Sequence, residues 1–296
     1  MFLTRFMGEK IAMISFKSYW RLMRFDRPIG IYLLLWPTLW GLWIAGFGRP
    51  NWAVVTVFVV GTVIMRAAGC VANDWCDRGF DGHVERTKNR PMPRKELTSA
   101  QALWCLFILI CIAAALAVSF LNLGTIVLAI VGLLLALLYP FTKRFFAYPQ
   151  IILSLAFAWG IPMAFWQLQQ RLPLVAWVLF VITGLWIFMY DTQYALMDLK
   201  EDSQLGIHSS ALSLGRHIQV VIRVLQLIVS LGFLVLGIGL HWSYFYFVAC
   251  FFSACVFIYQ DRCLLKKNRT ASFAAFLSNH WVGFLIFIGI FISSSR

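Results

Sequence analysis

Long apolar stretches alternate with short polar ones along almost the whole chain. A helix needs about 17–25 mostly apolar residues to cross the hydrocarbon core of a bilayer. Nine stretches have about this length, namely residues 29–47, 52–72, 99–121, 124–140, 148–167, 173–190, 217–240, 242–260 and 278–294. Little more than Asn122 and Leu123 separates the third from the fourth, which predicts a tight hairpin. The pattern predicts an all-α integral membrane protein of about nine transmembrane helices, forming one domain over residues 1–296.

The composition agrees with a membrane location. Of the 296 residues, 61% are hydrophobic and only 12% are charged, whereas a soluble domain has about 25% charged residues. Residues 1–27 differ from the apolar stretches, because they mix basic side chains such as Arg21 and Arg24 with Phe, Ile, Met and Trp. We expect this segment to be amphipathic and to lie at the membrane surface.

The net charge of +13 would be compatible with nucleic-acid binding, but the distribution of the charge argues against that class. If nine spans alternate in direction, the loops on one side hold only Arg49, Arg171 and Arg296. Two more basic residues, Arg66 and Arg223, lie within spans. The remaining twenty of the 25 Lys and Arg residues fall on the other side. Because short cytoplasmic loops are enriched in Lys and Arg, this side is predicted to be cytoplasmic, in a multi-pass protein of the cell inner membrane.

The acidic residues are few and clustered. Eight of the twelve fall in two short windows, each directly after an apolar stretch on the side with most of the basic residues. The windows contain Asp74, Asp77, Asp81 and Glu85, and then Asp191, Asp198, Glu201 and Asp202. Neighbouring carboxylates repel one another unless basic side chains or a divalent metal ion neutralise them. Both windows are therefore candidate functional segments.

The spacing of the polar residues in the first window would place a set of metal ligands on one face of a helix. Asn73, Asp77 and Asp81 are four residues apart, which places them on one face if the segment is helical. Mg²⁺ prefers oxygen ligands and usually completes its octahedron with water and substrate phosphate oxygens. The spacing indicates a Mg²⁺ site.

The second window repeats this arrangement with Asp198 and Asp202, preceded by Asp191 about two turns earlier, with Tyr194 between them. Two such sites that face each other could hold a diphosphate between two or more Mg²⁺ ions. The alternative is that the carboxylates only form salt bridges at helix ends. The partners would then be Arg78, Arg86 and Lys200.

Basic residues follow the first window and the fourth apolar stretch. Arg86 and Arg90 could pair with phosphate oxygens, since the guanidinium fork suits them; as an ordinary cytoplasmic loop, they would contact lipid headgroups. Tyr139 is followed at the end of the fourth stretch by Lys143 and Arg144. This pair could add to a diphosphate-binding site or only set the topology.

Arg66 lies inside an apolar stretch, where an arginine costs roughly 2.5–3.5 kcal/mol on insertion scales. Such residues usually face a cavity or a partner. Arg66 comes seven residues before Asn73, which places it on the same helix face about 10 Å deeper. It is either a structural arginine paired with backbone carbonyls or an anchor for a carboxylate.

Several motifs carry a family resemblance. The block from Asn73 to Pro91, N-x-x-x-D-x-x-F-D-x-x-V-x-R-T-x-x-R-P, resembles the signature of the UbiA superfamily of intramembrane prenyltransferases. The block from Tyr190 to Asp198, with Asp202, is similar to the second aspartate motif of that superfamily, and Tyr139 with Lys143 matches its Y-x-x-x-K element. The segments 24–37 and 206–211 resemble the bacterial 4-hydroxybenzoate polyprenyltransferase branch. Met92 and Lys95 depart from the usual pattern of the loop.

This resemblance implies a bundle of helices around a central apolar cavity and a Mg²⁺-dependent reaction. A polyprenyl group would pass from its diphosphate to the ring of 4-hydroxybenzoate, ortho to the hydroxyl, in ubiquinone biosynthesis. Mg²⁺ would be held at the cytoplasmic interface, with Lys143, Arg144 and Arg78 as supporting cations. Asp191 is the candidate base on its position alone. The metal ligands would be Asn73, Asp77, Asp81, Asp198 and Asp202.

Other functions stay open on the sequence alone. Branches that use homogentisate, a naphthoate or haem share the aspartate motifs. A transporter for a divalent cation or a phosphorylated lipid is also possible, because intramembrane charges mark permeation paths. Transporters, however, tend to bind their substrates near the bilayer midplane, whereas both acidic windows lie at one interface.

Overall fold

The structure, a computed structural model, describes residues 16–294 and is built from α-helices. The helices that we number α1 to α12 are Ile29–Ala45, Trp52–Asp77, Ser99–Phe120, Leu123–Thr142, Pro149–Ala158, Gly160–Gln169, Leu174–Ala195, Leu199–Leu205, Ser210–Leu214, Ile218–Gly239, Tyr244–Leu264 and Arg269–Ser294. Two 3₁₀ turns, Asp81–His83 and Gly215–His217, interrupt the loops.

The prediction of about nine membrane helices is confirmed. Within residues 16–294, eight helical segments are long and apolar enough to cross a bilayer, and α1 is a shorter apolar helix of 17 residues. The hairpin between α3 and α4 is as tight as predicted, because the Asn122 side chain accepts a hydrogen bond from the backbone N–H of Thr125 and starts α4.

Several predicted boundaries were wrong. The last span was predicted to begin at residue 278, but α12 begins at Arg269, where the Asn268 side chain accepts a hydrogen bond from the N–H of Ala271, and mostly apolar residues continue the helix to 278. The span predicted at 148–167 consists of α5 and α6, which meet at Trp159. The second span extends beyond residue 72 to Asp77, so it carries part of the first acidic window.

The bundle closes on itself, because the first and last spans lie side by side. Trp36 of α1 donates to Nδ1 of His280 in α12 at 3.2 Å, and Trp40 donates to the carbonyl of Gly283 at the same distance. At the other side of the bundle, α3 is mostly exposed and only Ala102 is buried. An apolar helix with this exposure is suited to a lipid environment.

A cavity of about 1270 Å³ runs through the bundle. Its polar end contains residues of both acidic windows. Its apolar part is lined largely by the hairpin of α3 and α4, including Leu116, Leu121, Ile126, Ile130 and Leu133. The expected central cavity is therefore present, with one charged end and one long apolar part.

The segment before α1 packs against the loop that follows α2. Residues 16–22 are helical, and Leu22 is fully buried against Val71, Met92 and Leu97. Met92, which departs from the family pattern, is thus a core residue of this small cluster. Residues 1–15 of the predicted amphipathic segment lie outside the described residues.

Buried amides fix the end of α7 on which the second acidic window begins. Gln193 donates to Gln260 of α11 at 3.0 Å and accepts from Asn279 of α12 at 2.9 Å. The Asn279 side chain also accepts from Trp186. Because these side chains satisfy one another in an apolar setting, they define how α7 lies against α11 and α12.

Candidate functional site

The two acidic windows meet at the polar end of the cavity, where Arg86, directly after the first window, pairs with Asp198, 112 residues later. Arg86 donates from Nε to Oδ2 of Asp198 at 2.9 Å, and its Nη2 pairs with the same carboxylate. Its Nη1 donates to the hydroxyl of Tyr194 at 2.7 Å. Although burial alone would lower the pKa of Arg86, the neighbouring Tyr194 and Asp198 raise it, so Arg86 is a fixed cation between the windows.

Lys143 joins the first window to the end of α4. Its Nζ donates to Oδ2 of Asp77 at 2.6 Å and to Oδ1 of Asn73 at 2.9 Å. Burial alone would lower the pKa of Lys143, but Asp77 and Tyr139 raise it, which keeps the amine charged. The backbone carbonyl of Lys143 accepts from the N–H of His208, so the loop after α8 holds this residue in place.

Asp81 and Asp74 share Arg90. The Nη1 of Arg90 lies 2.7 Å from Asp81 and 3.0 Å from Asp74, and Asp74 is only 1% exposed. Arg24 completes this cluster by donating to both oxygens of Asp74, at 2.8 and 2.9 Å. Asp74 therefore holds Arg24 and Arg90 near the site. Arg24 lies fifty residues before Asp74 in the chain.

The predicted one-sided helical set in the first window was wrong in its geometry. Asn73 and Asp77 lie on α2, but this helix ends at Asp77 and Asp81 falls in the 3₁₀ turn Asp81–His83. The chain turns back there, since the Thr87 hydroxyl donates to the carbonyl of Asp81 at 2.7 Å. The turn, and not a helix repeat, brings Asp81 to the cavity.

The second window is also split between helices. Asp191 and Tyr194 lie on α7, whereas Asp198 precedes α8 and Asp202 lies in its first turn. Within residues 16–294 the Asp202 side chain has no salt-bridge partner. Burial and the neighbouring Asp198 raise the pKa of Asp202 to about 7. Burial likewise raises the pKa of Asp81, against the effect of Arg90.

Most carboxylates at the polar end of the cavity form salt bridges with basic side chains. Among the described residues, no three acidic, His or Cys side chains converge closely enough to hold a metal ion. Nevertheless the donor set is the one that Mg²⁺ prefers, because oxygen atoms of Asn73, Asp77, Asp81, Asp198 and Asp202 line one cavity. These residues fit a Mg²⁺ ion in their chemistry.

Deeper in the cavity, Arg66 has no salt-bridge partner in the described part of the chain, and its Nε is buried without a hydrogen bond. Its guanidinium lies 5.5 Å from the centre of the Phe157 ring. A Cβ atom on Gly30 would lie 2.7 Å from Cζ of Arg66 and closer still to two of its nitrogens, so a side chain at position 30 would force the guanidinium to move.

The remaining predicted residues divide into two groups. Tyr139 and Asp191 line the cavity, and Nζ of Lys143 lies 5.1 Å from the centre of the Tyr139 ring. Arg78 and Arg144 do not line it. Arg78 donates to the carbonyl of Trp75 and stacks on that ring, and Arg144 donates to the carbonyl of Cys76.

The sequence reasoning placed four further cavity residues in a window or motif without giving them a role: Arg24, Gly30, Asp74 and Tyr190. The signals for Asp74 and Arg24 were a carboxylate inside the first window and a basic residue just before the first span. Gly30 and Tyr190 stood only in segments that resemble the family, and their residue types suggested no role, because a glycine and a tyrosine in apolar stretches are common.

The chain matches a known protein family. The profile of the UbiA prenyltransferase family matches residues 34–291. A protein of Photobacterium profundum, named 4-hydroxybenzoate octaprenyltransferase, is 46% identical over 285 residues, which cover 96% of this chain and 98% of the relative. A protein of the same name from Providencia stuartii is 44% identical over 287 residues, or 97% and 99% of the two chains.

Solved structures share the fold. A UbiA homolog from Aeropyrum pernix K1 without ligand has a TM-score of 0.76 at 21% identity, covering 89% of this chain and 97% of that one. A UbiA homolog from Archaeoglobus fulgidus bound to GPP and Mg²⁺ has a TM-score of 0.70 at 14% identity, covering 94% and 100%.

Proposed function

Because this chain belongs to the UbiA prenyltransferase family, we propose that it transfers a polyprenyl group from a polyprenyl diphosphate to the ring of 4-hydroxybenzoate. The reaction is a step of ubiquinone biosynthesis. The observation that carries the proposal is one continuous cavity with carboxylates and fixed cations at one end and a long apolar part at the other. A prenyl diphosphate has the same division into a charged head and an apolar tail.

The polar end is the site for the diphosphate. Asn73, Asp77, Asp81, Asp198 and Asp202 are the residues that would hold Mg²⁺, which neutralises the charge that develops on the departing diphosphate. Lys143, Arg86 and Arg90 already carry fixed positive charge at this end. They bind the phosphate oxygens from the sides that the carboxylates leave free. Arg78 and Arg144, which lie outside the cavity, are not needed for this role.

The chemical step breaks the bond between the first prenyl carbon and the diphosphate oxygen. The allylic cation faces the rings of Tyr139, Tyr194 and Phe157, which line the cavity and stabilise positive charge by cation–π attraction. The ring carbon ortho to the phenol hydroxyl of the acceptor then bonds to the prenyl carbon. Asp191 accepts the proton that the acceptor loses, and the diphosphate leaves as an anion.

Arg66 orients the acceptor. It lies on α2 between the polar end and the apolar part, and it has no acidic partner among the described residues. The carboxylate of 4-hydroxybenzoate supplies the missing negative charge through a bidentate pair with the guanidinium. In the structural alternative, backbone carbonyls would accept hydrogen bonds from the guanidinium of Arg66. The structure of residues 16–294 contains no such hydrogen bond.

The proposed orientation places the polar end of the cavity at the cytoplasmic face of the inner membrane. It rests on the excess of Lys and Arg in the loops on that side. Reporter fusions after Lys95 and Leu205 are expected to give a cytoplasmic signal. A signal from the opposite face at either position would contradict the orientation and the shared site.

The test of the function is the preference of the purified protein among acceptors. With geranyl diphosphate and Mg²⁺, kcat/KM is expected to be highest for 4-hydroxybenzoate and much lower for homogentisate and a naphthoate. A higher value for either of the other two would place the chain in another branch. Absence of diphosphate release with all three, together with ion flux in liposomes, would favour the transporter alternative.

A further inference from the structure

Tyr190 has a buried hydroxyl group without a partner. Six buried side-chain nitrogen or oxygen atoms in the described residues lack a hydrogen bond, and only two of these belong to residues that line the cavity. The two atoms are Nε of Arg66 and the hydroxyl oxygen of Tyr190. An unsatisfied polar group costs about 1–3 kcal/mol, so two of them around one cavity indicate a ligand that satisfies both.

The position of Tyr190 is fixed by its neighbours. The residue is 1% exposed, and its ring packs edge-on against Trp186 and Phe276, with ring centres 5.1 and 6.0 Å away. The side chain therefore has little freedom to turn its hydroxyl elsewhere. Tyr190 directly precedes Asp191 on α7, and both residues line the same cavity as Arg66.

We infer that the Tyr190 hydroxyl is a second donor to the carboxylate of the acceptor, beside the guanidinium of Arg66. A phenolic O–H can donate to a carboxylate oxygen, and hydrogen bonds to an ionised acceptor are the stronger kind. This assignment rests on the proposed function, since it takes the aromatic acid as the ligand. It makes Tyr190 a residue that selects for an acidic acceptor.

The chain offers a matched control in Tyr246. This tyrosine is also fully buried, but its hydroxyl donates to the carbonyl of Phe233 at 3.0 Å. Tyr246→Phe removes a satisfied hydroxyl and leaves a carbonyl without its donor, so it should lower stability and leave acceptor binding unchanged. Tyr190→Phe removes an unsatisfied hydroxyl and keeps the ring, so the ligand-free protein should be as stable as the wild type or more stable.

The experiment measures binding of 4-hydroxybenzoate, benzoate and phenol to the purified full chain, with Mg²⁺ and a non-reacting prenyl diphosphate analogue present. Tyr190→Phe is expected to raise the Kd of 4-hydroxybenzoate and of benzoate about tenfold or more. Binding of phenol, which has no carboxylate, and of the analogue itself should not change.

Three results would overturn the inference. One is equal binding of 4-hydroxybenzoate by the wild type and Tyr190→Phe, which leaves the proposed function intact. Another is weakened phenol binding with unchanged benzoate binding, which would assign the hydroxyl to the other end of the acceptor. The third is a wild type that does not bind 4-hydroxybenzoate, which would overturn the proposed function as well.

Discussion

Lys143 donates a hydrogen bond from Nζ to Oδ2 of Asp77 at 2.6 Å, although the two residues are 66 positions apart. The contact joins the end of α4 to the last residue of α2. Together with the pair between Arg86 and Asp198, it shows how basic side chains neutralise the acidic windows before a ligand binds. Each carboxylate proposed to bind Mg²⁺ therefore has to exchange or share a cation, with the exception of Asp202.

The first prediction concerns these carboxylates. Asp77→Ala, Asp81→Ala, Asp198→Ala and Asp202→Ala are each expected to lower kcat at least a hundredfold while the protein still accumulates in membranes. The matched control is Glu85→Ala. Glu85 belongs to the same window but is exposed and pairs with Lys88 at 2.7 Å, outside the cavity. Full activity of an Asp77/Asp198 double alanine variant would show that the acidic windows are only structural.

Asp74 should behave differently from its neighbours. It is buried between Arg24 and Arg90 and is expected to position them without binding metal. Asp74→Asn leaves Arg24 without its charge partner and Arg90 with Asp81 alone, so the free energy of unfolding should fall by about 1–3 kcal/mol. The Mg²⁺ concentration for half-maximal activity, measured in folded protein, should stay the same. A large rise in that concentration would identify Asp74 as a metal ligand.

A pH dependence follows from Asp202. Its pKa is raised to about 7 by burial and by Asp198, so the carboxyl is largely protonated at pH 6 in the Mg²⁺-free protein. Because a metal ligand must be deprotonated, Mg²⁺ affinity should rise about tenfold per pH unit below pH 7 and level off above it. Calorimetry in buffers of different ionisation enthalpy should detect one released proton at pH 6. Equal affinities at pH 6 and 8 would contradict the role of Asp202.

Gly30 tests the position of the Arg66 guanidinium. Gly30→Ala places a methyl group against this guanidinium and should displace it, which raises KM for 4-hydroxybenzoate about tenfold and leaves KM for the prenyl donor unchanged. Gly184→Ala is the control, because Gly184 lies on the cavity-lining helix α7 but does not itself line the cavity, and an added Cβ there meets no atom within 4 Å. Equal effects of the two substitutions would mean that the packing at Gly30 does not matter for the acceptor.

Much of the architecture could be predicted from the sequence, since bilayer thickness fixes the length of an apolar helix and Asp77, Asp81, Asp198 and Asp202 stood out in an apolar chain. The basic residues with which these carboxylates pair could not be predicted from the sequence. Helical spacing suggested a common face for Asn73, Asp77 and Asp81, but α2 ends at Asp77 and a 3₁₀ turn carries Asp81.

Contacts between residues far apart in the sequence could not be predicted either. The role of Asp74 depends on Arg24 and Arg90, and the space for Arg66 depends on Gly30 in another helix. Tyr190 is one of many aromatic residues in apolar stretches, and only the absence of a partner for its hydroxyl in the described structure distinguishes it. Local sequence patterns do not contain such information.

The most direct test of the account is the product that the purified protein forms from geranyl diphosphate and 4-hydroxybenzoate. We predict one geranyl group on the ring carbon ortho to the hydroxyl, identified by mass spectrometry and NMR, with one diphosphate released per product. EDTA should abolish the reaction and added Mg²⁺ should restore it. Product formation that persists without any divalent cation, or a geranyl group attached to oxygen, would contradict the proposed site and its chemistry.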